Sequence, residues 1–106
     1  MNKDILIKIQ VDKTKYRIGK SSIEGNGVIA TTHIKKDEFI NPAFLPGMRI
    51  TEFGAHLNHS YKPNAITRKI EDYRLTYSLF NIDPGEEITV DYTVNKDLEQ
   101  PQKDWK

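Results

Sequence analysis

The chain has 106 residues, 37% of them hydrophobic and 29% charged, with six Gly, five Pro and no Cys. That balance excludes a disordered chain, a collagen and a coiled coil, and it fits a single small globular domain spanning 1–106. The absence of cysteine removes disulfides, thiolate zinc sites and thiol nucleophiles, and a formal charge of +1 argues against a general nucleic-acid binder.

The dominant periodicity along the chain is two. Ile5, Ile7, Ile9 and Val11 alternate with Leu6, Lys8 and Gln10, which predicts a half-buried first strand. Shorter β-like runs follow at Tyr16-Arg17-Ile18, Gly27-Val28-Ile29-Ala30 and Glu38-Phe39-Ile40. Turn formers at Asp12-Lys13, Lys35-Lys36-Asp37, Pro46-Gly47 and Asp83-Pro84-Gly85 separate the runs. The segment Thr51-Glu52-Phe53-Gly54-Ala55-His56-Leu57 is expected to form one or two helical turns capped by Thr51. Ile66–Ile70 and Tyr73–Leu79 flank Glu71-Asp72 and read as a hairpin, with Tyr73, Leu75, Tyr77 and Leu79 predicted to face inward. Ile88-Thr89-Val90 makes a last strand. The tail 94–106 is polar and ends near Trp105. Many short strands and frequent turns predict a mainly β domain. No apolar run is long enough for a membrane span, and Met1-Asn2-Lys3-Asp4 opens no secretory leader, so an intracellular protein is expected.

Charge is divided unevenly. Residues 1–53 carry nine Lys and Arg against six acids, whereas 54–106 carry seven against nine. Asp83, Glu86, Glu87 and Asp91 crowd together, either as a solvated turn or as a rim that draws in a cationic substrate. Gly25-Asn26-Gly27 lets the backbone turn sharply and approach a ligand, but a strand follows it, so it is no dinucleotide fingerprint. His56 and His59 stand three apart; with His33 the only other histidine and no cysteine, no metal site is expected.

In order and spacing these segments resemble the SET domain family, the protein lysine methyltransferases. The first match is Lys20-Ser21-Ser22-Ile23-Glu24-Gly25-Asn26-Gly27-Val28-Ile29-Ala30, followed by Ile34-Lys35-Lys36-Asp37-Glu38. The second, Asn58-His59-Ser60-Tyr61-Lys62-Pro63-Asn64, fits the family's Asn-His-Ser-x-x-Pro-Asn in full. The third is Gly85-Glu86-Glu87-Ile88-Thr89-Val90-Asp91-Tyr92. Together they cover about residues 15–93 and make the chain similar to the minimal SET proteins of large viruses and some bacteria.

The resemblance implies a β-clip-like fold of several small sheets with a C-terminal pseudoknot. It implies S-adenosyl-L-methionine as cofactor, held along Glu24, Gly25, Asn26 and Gly27, by Asn58 at its amino-acid end and by the His59 backbone at its adenine. Tyr92 would be the catalytic residue between cofactor and substrate, and Trp105 would stack on the adenine. The implied partner is a protein carrying a lysine in a basic, histone-like segment. The interval from Leu45 to Leu57 is only 13 residues, where relatives carry a longer substrate-binding insert. Phe44 stands near the usual place of a second tyrosine, and Thr67 near that of an aromatic that sets the degree of methylation. A second subunit would complete so short a groove, which points to a homodimer. The alternative is a SET-like module that binds cofactor or protein without turnover.

Overall fold

The computed structural model describes Ile9 and residues 11–91. Over these residues the strands are β1 (Tyr16–Lys20), β2 (Asn26–Ala30), β3 (Phe39–Leu45), β4 (Arg49–Ile50), β5 (Asn58–His59), β6 (Ala65–Ile70), β7 (Tyr73–Ser78) and β8 (Glu87–Val90). One helix, α1 (Glu52–His56), lies between β4 and β5. The strands form two four-stranded sheets, ordered β1-β2-β8-β5 and β4-β3-β7-β6. All pairings are antiparallel except that of β5 with β8, which is parallel. The last described strand is thus inserted between two earlier ones, in a mainly β fold of small sheets.

The core is built where the sheets and α1 meet. Val28, Ile34, Ile40, Phe53, Ile82 and Ile88 are fully buried there, with Tyr16 edge-on to Phe53. Ile34 and Ile82 exchange backbone hydrogen bonds of 2.8 Å, tying the loops that leave β2 and β7. No helix among the described residues is long and apolar enough to cross a membrane.

Most predicted elements form, with two differences. Of the expected strand over Ile5–Val11, residues 5–8 and 10 lie outside the described residues, and Ile9 and Val11 belong to no strand. The β6–β7 hairpin has the expected two-residue turn, Ile70 pairing with Tyr73 while Glu71 takes a left-handed φ of 54°. Its faces are not divided as the alternation predicts, because Arg74, Thr76 and Ser78 are as buried as Tyr73 and Leu75. The reason is position: β7 is flanked by β3 and β6, and both of its faces are covered. On the polar face Asn41, Thr76 and Thr67 form a row across three strands. There Asn41 holds the backbone of Asp12 with both ends of its amide, at 2.6 and 3.0 Å.

Helix α1 depends on one side chain. The Thr51 hydroxyl accepts from the Gly54 N–H at 2.9 Å and lies 2.7 Å from the Pro42 carbonyl and 3.1 Å from that of Ala43. It caps the helix while binding it to β3, at the point where Pro42 interrupts the regular ladder. The helix packs so closely that a Cβ at Gly54 would overlap the Ala43 carbonyl.

Two predictions follow from this packing. Helix propensity alone would make Gly54→Ala stabilising by about 1 kcal/mol. Overlap with backbone that cannot rotate away reverses the sign, so urea denaturation should show a loss of about 1–3 kcal/mol. The second concerns pH. Burial alone would raise the Glu38 carboxyl, but the Lys35 N–H at 3.1 Å and the Lys15 ammonium at 3.2 Å outweigh it and hold it below the ordinary 4.5. A carboxyl depressed by folding stabilises the protein above its unfolded pKa, and that contribution fades as pH falls through the folded value. Stability should therefore decline below about pH 4.5, and Glu38→Gln should flatten that part of the curve.

Candidate functional site

The site candidates converge where the turn after β1 meets β5 and the start of β8. Ser21 shapes the turn: its Oγ accepts from Ile23 N at 2.8 Å and Glu24 N at 3.2 Å, while its own N–H donates to Gly25 O at 2.9 Å. Gly25 sits at a φ of +53°, which only a residue tolerant of the left-handed region adopts easily. The carbonyls of Glu24 and Asn26, on either side of it, both come within reach of the Asn58 amide.

Asn58 is the hub. Its Nδ2 lies 2.9 Å from Glu87 Oε2, 3.0 Å from Ser21 Oγ, 3.1 Å from Glu24 O and 3.5 Å from Asn26 O. Ser21 Oγ in turn lies 2.8 Å from both oxygens of Glu87. Gly27 makes room for this cluster, since a Cβ there would overlap the Glu87 carboxylate and crowd Asn58 Nδ2 at 3.1 Å. Four oxygen acceptors thus surround an amide nitrogen with two hydrogens, a surplus that suits a ligand rich in N–H donors. An acceptor-rich cluster of this kind suits the ammonium end of an amino acid.

The second half of the Asn-His-Ser segment fastens β8. Asn64 Nδ2 donates to Glu87 O at 2.8 Å, and its Oδ1 accepts from Thr89 N at 2.9 Å. Asn58 pairs with Thr89 and His59 with Val90 in the parallel ladder, and Ser60 N donates to Val90 O at 2.9 Å. The His59 side chain is buried, 3.8 Å from Asp91 through Nδ1 and edge-on to Tyr61 at 4.3 Å between ring centres.

Of the residues expected from sequence, Glu24, Asn26, Gly27 and Asn58 are brought together, Gly25 shapes their turn, and His59 lies beside Asn58 on β5. Tyr92 and Trp105 lie outside the described residues. The acidic cluster is divided. Asp83 and Glu86 are exposed in the turn before β8, where Asp83 faces His33 at 3.7 Å and Glu86 accepts from Asp83 N at 3.2 Å. Glu87 and Asp91 turn inward, so they form no part of a rim. Sequence reasoning missed Ser21 and Glu87 as site residues. The signal was present in the Gly-Glu-Glu and Lys-Ser-Ser motifs, but only the fold reveals that residues 66 apart meet.

Residues 43–93 match the family model of the SET domain. Among solved structures, the chain is similar to the crystal structure of a Plasmodium falciparum protein assigned as a histone methyltransferase. The identity is 29% and the TM-score 0.62, over 76% of this chain and 95% of that one. No curated protein matches the chain.

Asn64 gives the test of how the site is held. Asn64→Ala removes a donor and an acceptor from β8 and strands two backbone groups at a crowded crossing. At ~1–3 kcal/mol for each unsatisfied group, urea denaturation should show a loss of about 2–6 kcal/mol. A loss below about 1 kcal/mol would mean that water replaces the clip without cost.

Proposed function

We propose, on the premise that this chain is a SET domain protein, that it transfers a methyl group from S-adenosyl-L-methionine to a lysine ε-amine of a protein. The observation that carries this reading is the acceptor cluster of Ser21, Glu24, Asn26 and Glu87 around Asn58, closed on the Cβ-free face of Gly27. These residues would hold the amino-acid end of the cofactor. The backbone of His59 would serve its adenine. Trp105 is proposed to cover that ring. When bound, the cofactor supplies a methyl already activated by its sulfonium.

What remains for the protein is alignment. A free lysine has a pKa of about 10.4 and is mostly protonated at neutral pH. A dry channel and a neighbouring positive charge both favour the neutral amine. The residues lining such a channel need only hold that amine in line with the methyl, a contribution of orientation rather than acid–base chemistry. Tyr92, directly after Asp91, is the proposed catalytic residue, its hydroxyl orienting the amine. A tyrosine hydroxyl titrates near 10, so a base at neutral pH is not its role. The proposed substrate is a basic, histone-like segment, and a homodimer is the proposed assembly.

The test is transfer of label from radioactive S-adenosylmethionine to lysine in a histone mixture. Wild type should label lysine. Tyr92→Phe should abolish transfer with cofactor affinity unchanged within a few-fold, whereas Asn58→Ala should raise the cofactor Kd by roughly tenfold or more, the loss of a charge-assisted hydrogen bond. Cofactor binding without transfer to any protein would instead make the chain a binding module. Unchanged turnover in Tyr92→Phe would remove that residue from the mechanism.

A further inference from the structure

Glu87 is the least expected member of the cluster: a half-buried carboxylate that touches no cation among the described residues and takes its hydrogen bonds from neutral groups, Ser21 and Asn58. We propose that Glu87 is a positioning residue that sets which way the Asn58 amide faces, turning Nδ2 inward and leaving Oδ1 to meet the ammonium of a ligand.

Donors and acceptors around Asn58 fix the orientation of its amide. The Ser21 hydroxyl has one hydrogen, and with both Glu87 oxygens at 2.8 Å that hydrogen goes to the carboxylate. Ser21 Oγ is then left as an acceptor, the role it already plays toward Ile23 N and Glu24 N. Toward Asn58 it can only accept, as can the carbonyls of Glu24 and Asn26 and the carboxylate itself. An amide oxygen in that position would face four acceptors and no donor. The orientation of an asparagine amide is ordinarily settled by its surroundings, and here every neighbour votes the same way.

Glu87 controls the arrangement because its charge commits the Ser21 hydrogen. Its place is fixed from behind by Asn64, which binds the Glu87 carbonyl, and by the pairing of Glu87 with Ile29 on β2. Asn58 Oδ1 accepts no hydrogen bond among the described residues. With Nδ2 held by its four acceptors, that oxygen is left to meet a donor-rich group. An alkylammonium has three N–H donors and a charge opposite to that of Glu87. This inference rests on the cofactor reading above for the identity of the ligand, but the amide orientation itself does not.

Glu87→Gln separates positioning from mere bracing. Glutamine has nearly the same shape, but its own amide can donate to Ser21 or to Asn58 Oδ1, so the Asn58 amide is free to invert. Calorimetry should compare S-adenosylmethionine with an analogue lacking the α-amino group, on wild type and on Glu87→Gln. Loss of a charge-assisted contact should weaken S-adenosylmethionine by roughly tenfold. The analogue's affinity should stay within a few-fold of wild type. Equal weakening of both ligands, or of neither, would overturn the proposal. In the ligand-free protein, the Asn58 side-chain amide hydrogens should exchange with solvent far more slowly than those of exposed Asn81. Exchange as fast as that of Asn81 would overturn the inward orientation, and this measurement decides the matter even if Glu87→Gln does not fold. If wild type binds neither ligand, the cofactor reading fails, while slow Asn58 exchange would still support the amide orientation.

Discussion

Strand β8 is four residues long, and three separate parts of the chain hold it in place. It pairs antiparallel with β2 and parallel with β5, and Asn64 clips its backbone at Glu87 and Thr89. Bringing residues 66 apart into contact, as Ser21 and Glu87 are, costs about 4 kcal/mol of loop-closure entropy. The hydrogen bonds of the site return only ~0.5–1.5 kcal/mol each. Ile88 and Val90 are fully buried, and each contributes ~1.5–3 kcal/mol, so apolar burial places the strand and polar bonds set its register.

That division explains why the site lies where it does. Side chains alternate along β8, so fixing Ile88 and Val90 in the core turns Glu87 and Thr89 to the opposite side. Glu87 then meets the turn after β1, whose path is set by Ser21 and the left-handed Gly25. β5 is too short to persist alone and exists as a parallel partner of β8, which is how Asn58 reaches the carboxylate. A change at any of the three supports is therefore felt at Asn58, and Asn64 acts there through the β8 backbone alone.

The local elements were legible because their signals are local. The period-two runs at Tyr16–Ile18, Gly27–Ala30 and Ile88–Val90, and the hydroxyl of Thr51 before Glu52, follow from contacts within a few residues. The burial of the Arg74, Thr76 and Ser78 face was not legible, because it depends on β7 lying inside its sheet between β3 and β6 with both faces buried. Alternation reports burial only for a sheet with one wet face. The motif residues Asn58, Gly27 and Glu24 were found by resemblance. Glu87 was read as surface charge, since no local pattern distinguishes a carboxylate in a turn from one aimed at a serine far away in sequence.

The second half of the interval from Leu45 to Leu57 packs against the core. Thr51, Phe53 and Leu57 are buried, and Gly54 lies against the Ala43 backbone. The segment is thus committed to closing the core over β3, while the hairpin around Met48, Arg49 and Ile50 stays exposed, as do Glu52 and Ala55. That hairpin carries one cation and two apolar side chains. The polar organisation of the described residues is concentrated instead on the Ser21–Asn58–Glu87 cluster. On the proposed reading, a chain with a formal charge of +1 would hold a cationic group there. What matters is the field of one oriented carboxylate and its neighbouring carbonyls at hydrogen-bond distance, where local geometry outweighs net charge.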